Sequence, residues 1–178
     1  MLPKLTHEPP CTKVDSSFLR GLLGYNTRRA TLKILDNFGT QTAAYGLKPV
    51  EFSVLSLIGH NPNISHGQLC TELALLPPNL TKILQKLSRK HLIQKFQPES
   101  DKRAVYLKLT DSGTQQLTEL ELVVTRLERD SAAKLSDAQL DQLIQLLKAR
   151  VAPIPHDLND LILAEFAAAG SVAAPATP

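Results

Sequence analysis

The sequence has no tryptophan, and aromatic residues make up only 4% of its 178 positions. Its core must therefore rest on Leu, Ile, Val and Ala. Two cysteines, Cys11 and Cys70, are too few for a disulfide framework or a zinc site. The eight glycines are scattered, and no Gly-rich phosphate loop, G-x-S-x-G or H-E-x-x-H occurs. That removes the sequence support for a nucleotide-binding fold, a serine hydrolase or a zinc protease. The histidines His7, His60, His66, His91 and His156 lack metal-ligand spacing. The expectation is a non-enzyme with no metal and no cofactor. The N-terminus lacks an apolar signal core, and no apolar run is long enough to span a bilayer. The expected compartment is the cytoplasm.

What is present is 43% hydrophobic and 21% charged residues, enough for one domain with extensions. The net charge of +3 decides little, but its distribution is informative. Residues 78–108 hold eight Lys and Arg against two acids, and residues 151–178 hold three acids and no Lys or Arg. A basic middle beside a neutral-to-acidic remainder points to a local polyanion-binding surface.

Residues 1–14 contain prolines without periodicity and suggest a flexible arm. Asp15 or Ser16 can cap a long helix with Phe18, Leu22, Ile34, Leu35 and Phe38 on its apolar face, running to about Tyr45 and stopped by Gly46. Pro49 opens a second helix carrying Phe52, Leu55 and Ile58. "HNPNIS" suggests a turn. Ser65 and Gln68 form a capping box for a short helix. Pro77 and Pro78 fit the first turn of the next, whose stripe is Leu80, Ile83, Leu84 and Leu87. Three consecutive helices, the last basic on its outer face, fit a helix-turn-helix.

Two short strands follow, Ile93–Phe96 and Ala104–Leu109, around the loop Gln97–Arg103. In the second, Val105 and Leu107 alternate with Tyr106 and Lys108. Such a hairpin on a trihelical unit is a winged helix. Thr110 can cap a long helix with Leu117, Leu120, Val124 and Leu127 inward. Ser136 can cap another with Leu140, Leu143, Ile144 and Leu147. Pro153 and Pro155 interrupt the pattern before a last helical segment at about 157–169.

The stretch "ESDKRAVYLKLTDSG" closely resembles the wing of the MarR family of bacterial transcriptional regulators, D-x-R-x-x-x-L-x-L-T-x-x-G. The matching residues are Asp101, Arg103, Leu107, Leu109, Thr110 and Gly113. "LTKILQKLSRKHLI" resembles that family's recognition helix and its exit into the wing. The resemblance covers most of residues 16–150. It implies a mainly α fold with a small β-hairpin wing, in which a winged helix-turn-helix domain is flanked by long N- and C-terminal dimerisation helices. The implied units are a dimerisation helix at 15–46, a DNA-binding domain at 47–112, dimerisation helices at 113–169 and a disordered tail at 170–178. Two departures stand out. Leu76-Pro77-Pro78 replaces a polar helix cap, and His91 stands where the family often has Gly.

The resemblance implies a homodimeric, ligand-responsive regulator, by family default a repressor, bound to a pseudo-palindromic operator. On the recognition helix, Pro78, Asn79, Thr81, Lys82, Gln85, Lys86 and Arg89 are the candidate DNA contacts. Asn or Gln can bridge adenine, Thr can touch a thymine methyl, and Lys can meet guanine or phosphate. On the wing, Asp101, Lys102 and Arg103 are the candidates. An Arg there suits a narrow minor groove, and in the resembling family the aspartate pairs with it.

Tyr25, Arg28, Arg29, Phe38 and His60 are candidate effector residues. An arginine pair beside an aromatic suits an aromatic carboxylate or an acyl-CoA thioester, which would place the chain in control of aromatic compound catabolism. Two alternatives remain open: a cysteine-based redox sensor of the same fold, and a winged-helix protein-interaction module that does not bind DNA.

Overall fold

The computed structural model describes residues 14–97 and 105–150. The chain order is α1 (Ser17–Arg20), α2 (Leu23–Gln41), a 3-10 turn (Ala43–Tyr45), α3 (Pro49–His60), β1 (Ile64–Ser65), α4 (His66–Leu73), α5 (Pro77–Arg89), β2 (Ile93–Phe96), β3 (Tyr106–Leu109), α6 (Asp111–Ser131) and α7 (Asp137–Arg150). The mainly helical architecture with a small winged sheet is the one the sequence implies. The expected arm at 1–14 (Val14 apart, Cys11 included), the wing tip at 98–104, the segment at 157–169 and the tail at 170–178 lie outside the described residues.

The long first helix is interrupted. Leu22 is extended, at φ −92° and ψ 133°, and separates α1 from α2. Gly21 ends α1, and the Asn26 side-chain amide donates to the carbonyls of Arg20 and Leu22, taking up acceptors that the break releases. Ser16 is the N-cap of α1 and makes no side-chain cap bond; Asp15, one residue earlier, accepts the Ser17 N–H at 2.8 Å. That bond draws its carboxyl below the usual carboxylate range. At the far end the Thr42 hydroxyl donates to the Phe38 carbonyl. Gly46 then turns the chain in the left-handed region, φ 59°.

The sheet is antiparallel in the order β1-β3-β2. The turn expected at "HNPNIS" forms at residues 61–63, and it leads into a strand that was not expected, β1: Ile64 pairs with Leu107, and Ser65 with Tyr106. In β3, Leu107 is buried and Lys108 exposed, while Val105 precedes the strand and is 43% exposed. The principal core joins Val54, Leu55 and Ile58 of α3 to Leu69, Leu75, Leu80, Leu84 and Leu87. The sheet residues Ile64, Ile93 and Leu107 and the α6 residues Leu117 and Leu120 close it.

The expected caps form. Ser65 accepts the Gln68 N–H while the Gln68 side chain accepts the Ser65 N–H. Thr110 accepts the Gly113 N–H at 3.0 Å. Ser136 and Gln139 reciprocate at the start of α7. α2 is tied to the end of α6 by Asn37, whose amide donates to the Ser131 hydroxyl.

Candidate nucleic-acid interface

α5 begins without a side-chain cap. Leu76 is its N-cap, and Pro77 and Pro78 occupy the first turn, where missing N–H groups cost nothing. Leu80, Leu84 and Leu87 are buried and fix the helix on the core. Pro78, Thr81, Lys82, Gln85 and Arg89 are consequently exposed, and Asn79 is half-buried at the helix start. The structure thus brings these six candidates together on one outward face.

Lys86 is placed differently. Its ammonium donates to both oxygens of Glu51, at 2.8 and 2.7 Å. Glu51 is buried and also accepts the Lys48 N–H. Lys90 likewise turns to the protein, donating to the carbonyls of Tyr45 and Gly46. Two of the basic residues at this end of the domain therefore anchor α5 to the α2–α3 junction.

Between the outer face of α5 and β2 lies an open groove of about 480 Å³, lined by His66, Thr81, Leu84, Gln85, Ser88, Arg89 and Lys95. None of these is acidic. His66, Ser88 and Lys95 were not singled out from the sequence. The capping box at Ser65 puts His66 on the first turn of α4, which was the available signal.

The wing is braced at its base. His91 adopts φ 57°, the conformation that makes glycine common at this position. Its carbonyl accepts from the hydroxyls of Thr110 and Ser112, at 2.6 and 2.8 Å. Gly113 packs directly on the Leu92 carbonyl, where no Cβ fits. Further out, the Phe96 and Tyr106 rings lie 5.9 Å apart, and the Lys108 ammonium sits 5.3 Å above Phe96. Asp101, Lys102 and Arg103, at the tip, lie outside the described residues.

The effector candidates are not gathered into one pocket. Tyr25 and Arg29 do meet: the guanidinium lies 5.6 Å over the ring and donates to the hydroxyl at 3.3 Å. Arg28 is exposed on the same helix. Phe38 lies near the other end of α2, about 20 Å along at 1.5 Å per residue. It is buried against Phe52, with ring centroids 5.9 Å apart. His60 ends α3 and bridges the Ser56 carbonyl and Glu121.

Among the described residues no His, Cys, Asp or Glu cluster is arranged to hold a metal, and no helix is long and apolar enough to cross a membrane.

Comparison with known proteins places this geometry. A sequence model of the MarR family matches residues 47–105. A Thauera aromatica protein assigned to transcriptional regulation of the hcr operon is 32% identical over 131 residues, covering 73% of this chain and 79% of the relative. The repressor CouR bound to p-coumaroyl-CoA superposes with a TM-score of 0.68 at 30% identity, covering 79% of this chain and 100% of that one. CouR bound to a 23-mer DNA duplex superposes with a TM-score of 0.61 at 28% identity, covering 89% and 99%.

Proposed function

This chain belongs to the MarR family of transcriptional regulators, and we propose that it acts as a homodimeric, effector-released repressor of a pseudo-palindromic operator. Members of this family are generally DNA-binding proteins rather than enzymes. The observation that carries the reading is the outward face of α5. Thr81, Lys82, Gln85 and Arg89 are exposed beside a groove with no acidic lining residue.

In this reading α5 enters the major groove. Thr81 and Gln85 meet base edges, and Lys82 and Arg89 meet guanine or phosphate. Pro78 and Asn79 stand at the leading end of the helix. Arg103, pre-aimed by Asp101 and flanked by Lys102, enters the adjacent minor groove. Lys86 holds α5 at its angle through Glu51 instead of touching DNA.

A dimer places two such helices about 34 Å apart, one turn of B-DNA. The material for that interface is at both ends of the chain. Phe18 is 78% exposed and Leu23 72%, and α7 exposes Leu143, Ile144, Leu146 and Leu147. Apolar area of this extent marks a protein contact. The dimer acts in the cytoplasm, on the chromosome.

The effector is an aromatic carboxylate or its CoA thioester. Support comes from the Tyr25–Arg29 pair, from Arg28 beside it, and from the p-coumaroyl-CoA bound to CouR. Binding there shifts the population toward dimers whose α5 spacing no longer matches the operator. Phe38 and His60 act through the junctions they pack rather than by contact.

The test is release of a fluorescent operator duplex by a panel of aromatic acids and their CoA thioesters. Release by one of them, and loss of that response in Arg28→Ala and Arg29→Ala with operator affinity retained, supports the assignment. Indifference to the whole panel contradicts it. The redox alternative gains nothing from Cys70, whose thiol is buried and pushed up by burial.

A further inference from the structure

Thr81 stands on the outer face of α5, yet its polar group is already engaged. The hydroxyl donates to the Pro77 carbonyl at 2.8 Å. His66 Nε2 lies 3.2 Å from the same oxygen. A hydroxyl has one proton. With that proton directed to Pro77, the imidazole must be the donor, so His66 carries its proton on Nε2.

The other ring nitrogen is also held. Nδ1 lies 3.6 Å from the Cys70 sulfur. Burial pushes that thiol up, so its S–H proton is retained and available to Nδ1. A chain of contacts thus runs from the core through His66 to the reading face of α5. His66 sits at the first position of a capped helix, which fixes its backbone as well.

Threonine can read a base by its hydroxyl or by its methyl group. Here the hydroxyl has two partners, and the methyl group has no polar role. The groove around it also favours a polyanion. Arg89 and Lys95 line it, and no carboxylate does.

Building on the DNA-binding reading above, we propose that His66 is a specificity-setting positioning residue. By occupying the Thr81 hydroxyl, it commits Thr81 to recognise the C5-methyl group of a thymine in the major groove.

The experiment uses the full chain and a duplex recovered by selection from a random pool. Each thymine is replaced in turn by deoxyuridine, which removes the methyl and leaves the hydrogen-bonding edge intact. The expected result is one thymine per half-site at which the replacement weakens binding about fourfold, the factor for one buried methyl group. Thr81→Val keeps that factor, because it keeps a methyl in place. Thr81→Ser abolishes it. His66→Ala reduces it by freeing the acceptor side of the hydroxyl for a base edge, and His66→Gln, whose amide can donate, restores it; a factor unchanged in His66→Ala also overturns the inference.

Selective binding without any thymine-methyl effect, or Thr81→Val behaving like Thr81→Ser, overturns the inference and leaves the regulator reading standing. Failure to recover any selectively bound duplex overturns both.

Discussion

The Lys86 ammonium lies 2.7 Å from one oxygen of Glu51 and 2.8 Å from the other, joining the last turn of α5 to the first turn of α3. The Glu51 side chain is 6% exposed and that of Lys86 40%. Exposed pairs contribute about 0–1 kcal/mol, whereas breaking a buried pair costs about 3–5 kcal/mol. Lys86→Met, intermediate between these, is expected to cost about 2 kcal/mol in urea unfolding. It weakens operator binding without changing the slope of log K against log salt. Lys82→Met and Arg89→Met each lower that slope by about 1. A Lys86→Met slope that falls with theirs would return Lys86 to the DNA.

Gly113 is the residue on which the wing closes. Its added Cβ would overlap the carbonyl oxygen of Leu92, a backbone atom held between α5 and β2. Relief requires moving the sheet away from α6. Gly113→Ala is therefore expected to destabilise the domain by about 3 kcal/mol or more, at the upper end for an overpacked site. Chemical denaturation measures it. A cost below about 1 kcal/mol would show that this junction gives way easily.

Cys70 supplies a pH dependence with a definite sign. Its folded-state pKa is raised from the ordinary 9.0, because burial disfavours the thiolate. A raised thiol pKa contributes stability that is complete below the unfolded value and lost as pH rises through the folded one. The unfolding midpoint of the wild type is expected to fall, relative to Cys70→Ala, above about pH 9. The folded protein should also be alkylated at Cys70 far more slowly than the unfolded chain. Equal alkylation rates would mean that the thiol is accessible and would revive a redox role.

Dimerisation has its own test at α7. Leu143 is 44% exposed and Leu147 41%, one turn apart on the expected apolar face. The double change Leu143→Asp, Leu147→Asp is expected to yield a monomer by sedimentation, with operator affinity reduced at least about 100-fold because one half-site binds alone. A dimer that persists places the interface elsewhere.

Much of this organisation was legible in the sequence because it is local. The capping boxes at Ser65–Gln68 and Ser136–Gln139, the cap at Thr110, Pro77 and Pro78 at the start of α5, and its buried Leu80, Leu84 and Leu87 follow from short-range pattern. What escaped depends on distant partners. β1 is two residues long and exists because β3 offers it an edge, which is too little chain for an alternation to register. The break at Leu22 rests on Asn26 collecting two carbonyls, a bond invisible to hydrophobic spacing.

Lys86 lies on the face that helical periodicity assigns to solvent, but Glu51 is 35 residues away in sequence. His66 failed for the same reason, since Thr81 is 15 residues further on. His91 shows the reverse case. Its departure from a common glycine was visible, and the structure supplies the cause, a left-handed φ of 57°.

The most direct test of the central claim is fluorescence anisotropy of the purified full chain on DNA from its own upstream region. A random duplex of equal length is the control, and salt is titrated. The account predicts tight binding to the upstream duplex alone, weakening steeply as salt rises. No binding to either duplex at low salt would contradict it, and would favour a winged helix that recognises protein instead.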